Sequence, residues 1–229
     1  MRSLHLISFV GIDAQTNLEE LKCFEDDCEF SVLYSDSKSQ TKHIRYPSYD
    51  FCNNFLDWAI KNRVNGSLHL CGNVIDRYLN QDKDVLDLCD KSARIQLNLN
   101  IANYPNYQEL ADKICQVNDK YQYNIILQQN KTKSKFMEVL LNQVTRPISL
   151  LHDSSGGFGR EISETVKPDT HHFTGYAGGI NPENVLRIVN LIENNNPDGR
   201  PFYIDMESGI RENNIFSIEK CHQIVKNLL

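Results

Sequence analysis

The stretch Gly175-Tyr176-Ala177-Gly178-Gly179-Ile180-Asn181-Pro182-Glu183-Asn184-Val185 packs a strand end, a glycine turn and a helix start into eleven residues. Residues 173–176 carry two aromatic side chains and a threonine, which suit a half-buried pleated surface. The Gly178-Gly179 pair can take backbone torsions closed to other residues. Asn181 is a good helix N-cap and Pro182 a good first helical residue. A strand that feeds a helix through a tight turn is the repeating unit of α/β proteins. The number of such units then decides the fold.

Downstream, residues 202–205 read as a strand that runs into Asp205-Met206-Glu207-Ser208-Gly209-Ile210, and residues 215–228 as a closing helix. Upstream, a strand at 148–151 runs into Asp153-Ser154-Ser155-Gly156-Gly157-Phe158-Gly159, followed by a patternless region at 163–170. Further back, short apolar runs predict strands at 4–10, 30–34, 67–70, 94–99 and 123–127. Helices are predicted between them at 17–25, capped by Asn17, and at 50–61, 74–89, 107–117 and 135–144. Phe51, Phe55 and Trp58 share one helical face, as do Leu110, Ile114 and Val117. Residues 35–40 and 194–199 read as loops. Eight strand–helix repeats of roughly 29 residues predict one (β/α)8 barrel, a TIM barrel, over residues 1–229. An open doubly wound sheet has fewer strands and often a GxGxxG first turn. Here that turn is Gly11-Ile12-Asp13-Ala14.

Composition narrows the chemistry. The net charge of −6, with no basic stripe, argues against nucleic acid as a partner. An anionic ligand must therefore be captured by local donors. No apolar run approaches a membrane span. The seven cysteines form no CxxC pair, and the first residues lack the apolar run of a signal peptide. The expectation is a cytoplasmic protein with reduced, mostly buried thiols. Cys and His spacings match no common zinc set, so no metal is expected, nor any organic cofactor.

In a barrel, chemistry sits where strands end. Those ends supply His69 and Cys71 after strand three, Gln96 and Asn98 on strand four, and Gln128, Gln129 and Asn130 after strand five. Strand six ends at Asp153 and strand eight at Asp205, Glu207 and Ser208. Glycines Gly156, Gly157, Gly178, Gly179 and Gly209 stand beside them, in loops where main-chain N–H groups can cradle a phosphate. Each feature has a plainer reading. Glycines close turns, and a free cysteine is more often a buried small hydrophobe than a nucleophile. The amides can satisfy one another inside the barrel, Asp205 can bond rim N–H groups, and Arg45 can be a solvated surface residue. His69 alternates with Leu68 and Leu70, so it points into the barrel if the leucines face the helices.

The order of these motifs resembles phosphoribosylanthranilate isomerase. The resemblance covers about 80 residues, roughly a domain's last third. It runs from Asp153 through Gly156-Gly157-Phe158-Gly159 and Ala177 to Val185, and ends at Asp205 to Ile210. Gln96-Leu97-Asn98 is similar to the family's Gln-Leu-His. The resemblance implies a phosphorylated, sugar-derived substrate, an Amadori rearrangement, Asp153 as general acid, and phosphate held near Gly157, Gly179, Ser208 and Gly209. The family's general base is a cysteine in Lys-x-Cys-Gly-Ile, and Val10 stands in its place before Gly11-Ile12. Valine accepts no proton, which leaves His69, Cys71 and Glu207 as replacement bases. A sugar-phosphate lyase or epimerase on the same barrel, or a non-catalytic phosphate-ligand-binding relative, stays open.

Overall fold

The structure, a computed structural model, describes residues 3–41, 43–153, 161–162 and 164–229. Eight parallel strands follow one another around a closed barrel in sequence order. They are β1 (Leu4–Val10), β2 (Cys28–Tyr34), β3 (Asn65–Cys71), β4 (Ile95–Asn98), β5 (Ile125–Gln129), β6 (Ser149–Asp153), β7 (Phe173–Ala177) and β8 (Phe202–Met206). β8 pairs back to β1, with Ser8 opposite Asp205. Around the barrel lie α1 (Asp36–Gln40), α2 (Tyr49–Asn62), α3 (Val74–Leu79), α4 (Lys83–Asp90), α5 (Tyr107–Tyr121), α6 (Ser134–Leu141), α7 (Val185–Asn194) and α8 (Ile218–Leu228).

Strand alternation sorts side chains into two cores. Leu68, Leu70, Leu97, Leu127 and Leu150 face outward into the apolar layer beneath the helices. Ile126, Leu151, Ala177 and Tyr203 form a separate cluster inside the barrel. Gly175 belongs to this interior: a Cβ there would stand 2.0 Å from the Tyr203 ring. The interior also holds a buried ion pair. Arg94 donates to both carboxylate oxygens of Glu29 at 2.8 and 2.7 Å, and its guanidinium lies 4.2 Å over the Tyr203 ring. Burial works against the Glu29 charge, but Arg94 more than offsets it and holds the carboxyl below its ordinary range.

A second buried pair fastens the seam between β1 and β8. Arg211 donates to the Gly11 carbonyl and to Asp13 Oδ2, both at 2.8 Å. The Phe216 N–H donates to the same Asp13 oxygen at 2.9 Å.

Local structure departs from the sequence reading in several places. The predicted first helix is a 3-10 segment, Leu18–Cys23, and Asn17 makes no side-chain cap. The single helix expected at 74–89 is two. Gln81 takes a left-handed φ of 57°, and Asp82 then caps α4 by accepting from Asp84 and Val85 N–H. Residues 36–40, read as loop, form α1. α7 begins at Val185, and the turn before it is capped by Asn181, whose Oδ1 accepts from Glu183 and Asn184 N–H. The last helix starts at Ile218 because Arg211–Glu212 and Ile215–Phe216 pair as a two-stranded ribbon. Asn213 and Asn214 supply its turn with φ of 50° and 67°. Between β6 and β7 the described residues contain no helix.

Candidate active site

The C-terminal ends of the strands open into one cleft of about 420 Å³. It is lined by His69, Cys71, Gln96, Asn98, Gln128, Asp153, Gly178, Gly179, Asp205, Glu207, Ser208 and Gly209. These residues come from six strands and the loops that follow them. Gly156 and Gly157 lie outside the described residues.

The rim beside β7 and β8 is backbone. Gly178 and Gly179 have φ of 133° and 60°, torsions that a Cβ disfavours. Gly209 packs so closely on the next loop that a Cβ would stand 1.9 Å from the Ile180 carbonyl oxygen. The glycines here do more than close turns: they allow two main-chain loops to converge on one edge of the cleft.

Another part of the wall is built of side chains from the segment after β2. Lys38 donates to the Tyr46 hydroxyl at 2.7 Å, with its ammonium 4.0 Å over the ring. Arg45 is not simply solvated. It pairs with Glu207 at 3.1 Å and donates to Asn214.

The floor is polar and mostly buried. Gln96 Nε2 donates to Asn98 Oδ1 at 2.6 Å, and Asn98 Nδ2 donates to Cys71 Sγ at 3.0 Å. The amides thus satisfy one another in part. Gln128 accepts from Lys133 Nζ at 2.7 Å. Asn130 leaves the set, because its side chain caps the turn at Lys131–Lys133, and Gln129 does not line the cleft. Among the described residues, His69 Nε2, Gln96 Oε1 and Asp205 Oδ1 are buried without a hydrogen-bond partner. Asp205 thus bonds no described rim N–H group through that oxygen.

Protonation separates the candidate bases. Burial pushes the Cys71 thiol up to about 11, so near neutrality it is a protonated small hydrophobe, packed with Val10 and Leu33. Burial holds His69 down to about 4, although the Glu29 charge works the other way. Its ring is neutral at pH 7. Glu207 is tied to Arg45 and about a third exposed. Burial raises Asp205 to about 7, opposed by Ser8 and Arg94. Lys133 is buried too and is pushed down to about 8 against the Asp153 charge.

Solved structures resemble the whole chain. Phosphoribosylanthranilate isomerase from Thermotoga maritima, in a monomeric form, is 21% identical, covers 98% of each chain and has a TM-score of 0.58. The isomerase from Thermococcus kodakaraensis is 13% identical over 98% of this chain and 99% of its own, with a TM-score of 0.61. Thiamine phosphate pyrophosphorylase from Pyrococcus furiosus is 11% identical over 100% and 98%, with a TM-score of 0.51. The likeness is one of fold. No protein-family model and no curated relative matches the chain.

The sequence reading missed Lys133, Lys38 and Tyr46. Lys133 is one of three lysines in Lys131-Thr132-Lys133-Ser134-Lys135, and its burial follows from the turn capped by Asn130. Among the described residues, no group of three or more His, Cys, Asp or Glu side chains is placed to hold a metal ion. Among the described residues, no helix is long and apolar enough to cross a membrane.

Proposed function

We propose that this barrel is a phosphoribosylanthranilate isomerase-like enzyme that rearranges a phosphorylated, sugar-derived substrate by general acid–base catalysis. One observation carries the reading: a single cleft has a glycine-built edge, Gly178-Gly179 and Ser208-Gly209, and a floor of titratable groups that includes Asp153 and Asp205. Paired glycine loops after the last two strands are where barrels commonly hold phosphate. On this reading the main-chain N–H groups near Gly179, Ser208 and Gly209 take the phosphate. Gln96, Asn98 and Gln128 both donate and accept, which suits a hydroxylated ligand. Asp153 donates the proton that opens the sugar ring.

The test is turnover of phosphoribosylanthranilate, followed by loss of substrate fluorescence, for the wild type beside Asp153→Asn. The reading expects turnover in the wild type and a drop of about 100-fold or more in the variant, the usual scale of general acid–base catalysis. One feature favours a second reading, a non-catalytic binder of phosphorylated ligands: Val10, at the end of β1, lines the cleft and cannot accept a proton. That reading expects ligand binding with no turnover, and binding that Asp153→Asn leaves nearly unchanged.

A further inference from the structure

The proposed rearrangement needs a proton acceptor, and Val10 supplies none. Strand register points to a neighbour. Asp153 on β6 stands opposite Ala177 on β7, and Ala177 stands opposite Asp205 on β8. Two carboxyls thus share one row of the barrel, separated by a methyl group. With neighbouring strands about 4.8 Å apart, their Cα atoms are roughly 10 Å apart, room for a substrate carbon between the side chains. β8 is also the neighbour of β1, where Ser8 is opposite Asp205. Asp205 therefore sits one strand over and one layer below Val10.

Asp205, Gln96 and His69 all line the cleft, and Asp205 Oδ1, Gln96 Oε1 and His69 Nε2 are buried without a hydrogen-bond partner among the described residues. A buried polar atom left unpaired costs on the order of 1–3 kcal/mol, a cost that a side-chain turn onto a bound hydroxyl group would offset.

We propose that Asp205 is the proton acceptor of this barrel, taking a proton from the substrate carbon next to the C–N carbon while His69 and Gln96 hold the hydroxyl on that carbon. The inference rests on the phosphorylated aminosugar reading. Asp153 gives a proton to the ring oxygen; the C1–O bond breaks, and the nitrogen lone pair forms C1=N⁺. Asp205 then takes the proton from C2. The C2–H electron pair becomes a C1=C2 bond, and the C1=N⁺ pair returns to nitrogen. The resulting enol loses its O–H proton as C1 gains one, which leaves a ketone at C2 and a methylene at C1. C2 is oxidised and C1 reduced within one molecule, so no external oxidant is needed.

The surroundings of Asp205 match the task. Ser8 on β1, Glu29 on β2, Arg94 just before β4 and Glu207 just after β8 each act on its charge. Burial dominates and sets the carboxyl to about 7, where a base is both available and strong enough at neutral pH. His69 stays neutral there and can donate or accept as its tautomer requires.

The experiment compares wild type, Asp205→Asn and Asp205→Glu with phosphoribosylanthranilate from pH 5 to 9, and measures ribose 5-phosphate binding by calorimetry. The proposal expects Asp205→Asn to lose about 100-fold or more in kcat while ribose 5-phosphate affinity stays within a few fold. Asp205→Glu should keep part of the rate, and the wild-type rate should rise with pH through an ionisation near 7. Turnover by Asp205→Asn within a few fold of wild type overturns the base and spares the rearrangement. A wild type that binds ribose 5-phosphate without turnover overturns both and leaves the phosphate edge standing. A wild type that neither binds nor turns over removes the phosphate reading and the base together.

Discussion

The Tyr203 ring fills the space where a side chain on Gly175 would stand, with the nearest ring atom 2.0 Å from a Cβ built there. The two residues face each other across β7 and β8 in exact register, and Tyr203 is fully buried. Gly175→Ala should therefore force the ring against the packed interior. Overpacking of this kind costs about 1–3 kcal/mol, so the urea midpoint should fall. Gly175→Ala combined with Tyr203→Leu should recover much of the loss. A midpoint unchanged in the single variant would mean that the ring has another place to go.

The Glu29–Arg94 pair is more informative when broken than when replaced. Arg94→Met leaves a carboxylate buried without its cation, at a cost of about 3–5 kcal/mol. Replacing both residues with apolar side chains of similar volume should cost much less. Equilibrium denaturation of the single and double variants measures the difference. Equal losses in both would show that packing on Tyr203, not charge, sets the value of the pair.

Asp205 and His69 give stability opposite slopes with pH. Asp205 keeps its proton to about 7 in the folded chain against an ordinary 3.8. Between those values the folded state binds more protons than the unfolded, so stability falls as pH rises. His69 is held to about 4 against an ordinary 6.5. The folded state binds fewer protons there, so its contribution rises with pH over that window. Asp205→Asn removes the falling slope alone. Its denaturation midpoint should climb relative to wild type from pH 4 to 7 and exceed it at pH 8. Parallel curves would show that Asp205 ionises normally.

Gly209 tests the glycine edge. A methyl there collides with the Ile180 carbonyl oxygen, so Gly209→Ala must shift one loop against the other. The expected result is weaker binding of inorganic phosphate, seen by phosphorus NMR line broadening, with the barrel's circular dichroism unchanged. Unchanged phosphate affinity would move the anion away from this edge.

The barrel was legible because its signals are local and repeated. Strand-length apolar runs, each followed by a glycine or polar residues, recur eight times. The His69 direction followed from Leu68 and Leu70 alone. What stayed hidden depends on contacts between distant segments. No local pattern says that Gln81 breaks a helix, since glutamine seldom takes positive φ. The ribbon at Arg211–Glu212 and Ile215–Phe216 needs two asparagines in left-handed torsions, and a helical reading of the same residues fits their apolar spacing as well. The burial of Asp205 and Lys133, which sets their chemistry, is a property of the assembled interior. Strand ends located the carboxyls, but not which of them would lose its water.

The Arg211–Asp13 clasp joins residues 198 positions apart. Because β1 pairs with β8, β1 keeps one edge open until β8 has been made and docks. Contacts of such long sequence separation slow folding, and open strand edges invite association between chains in the meantime. The clasp lies beyond β8, so it can engage only after that strand has docked. It acts as a latch on a ring that is already shut, and slows reopening more than it speeds closure.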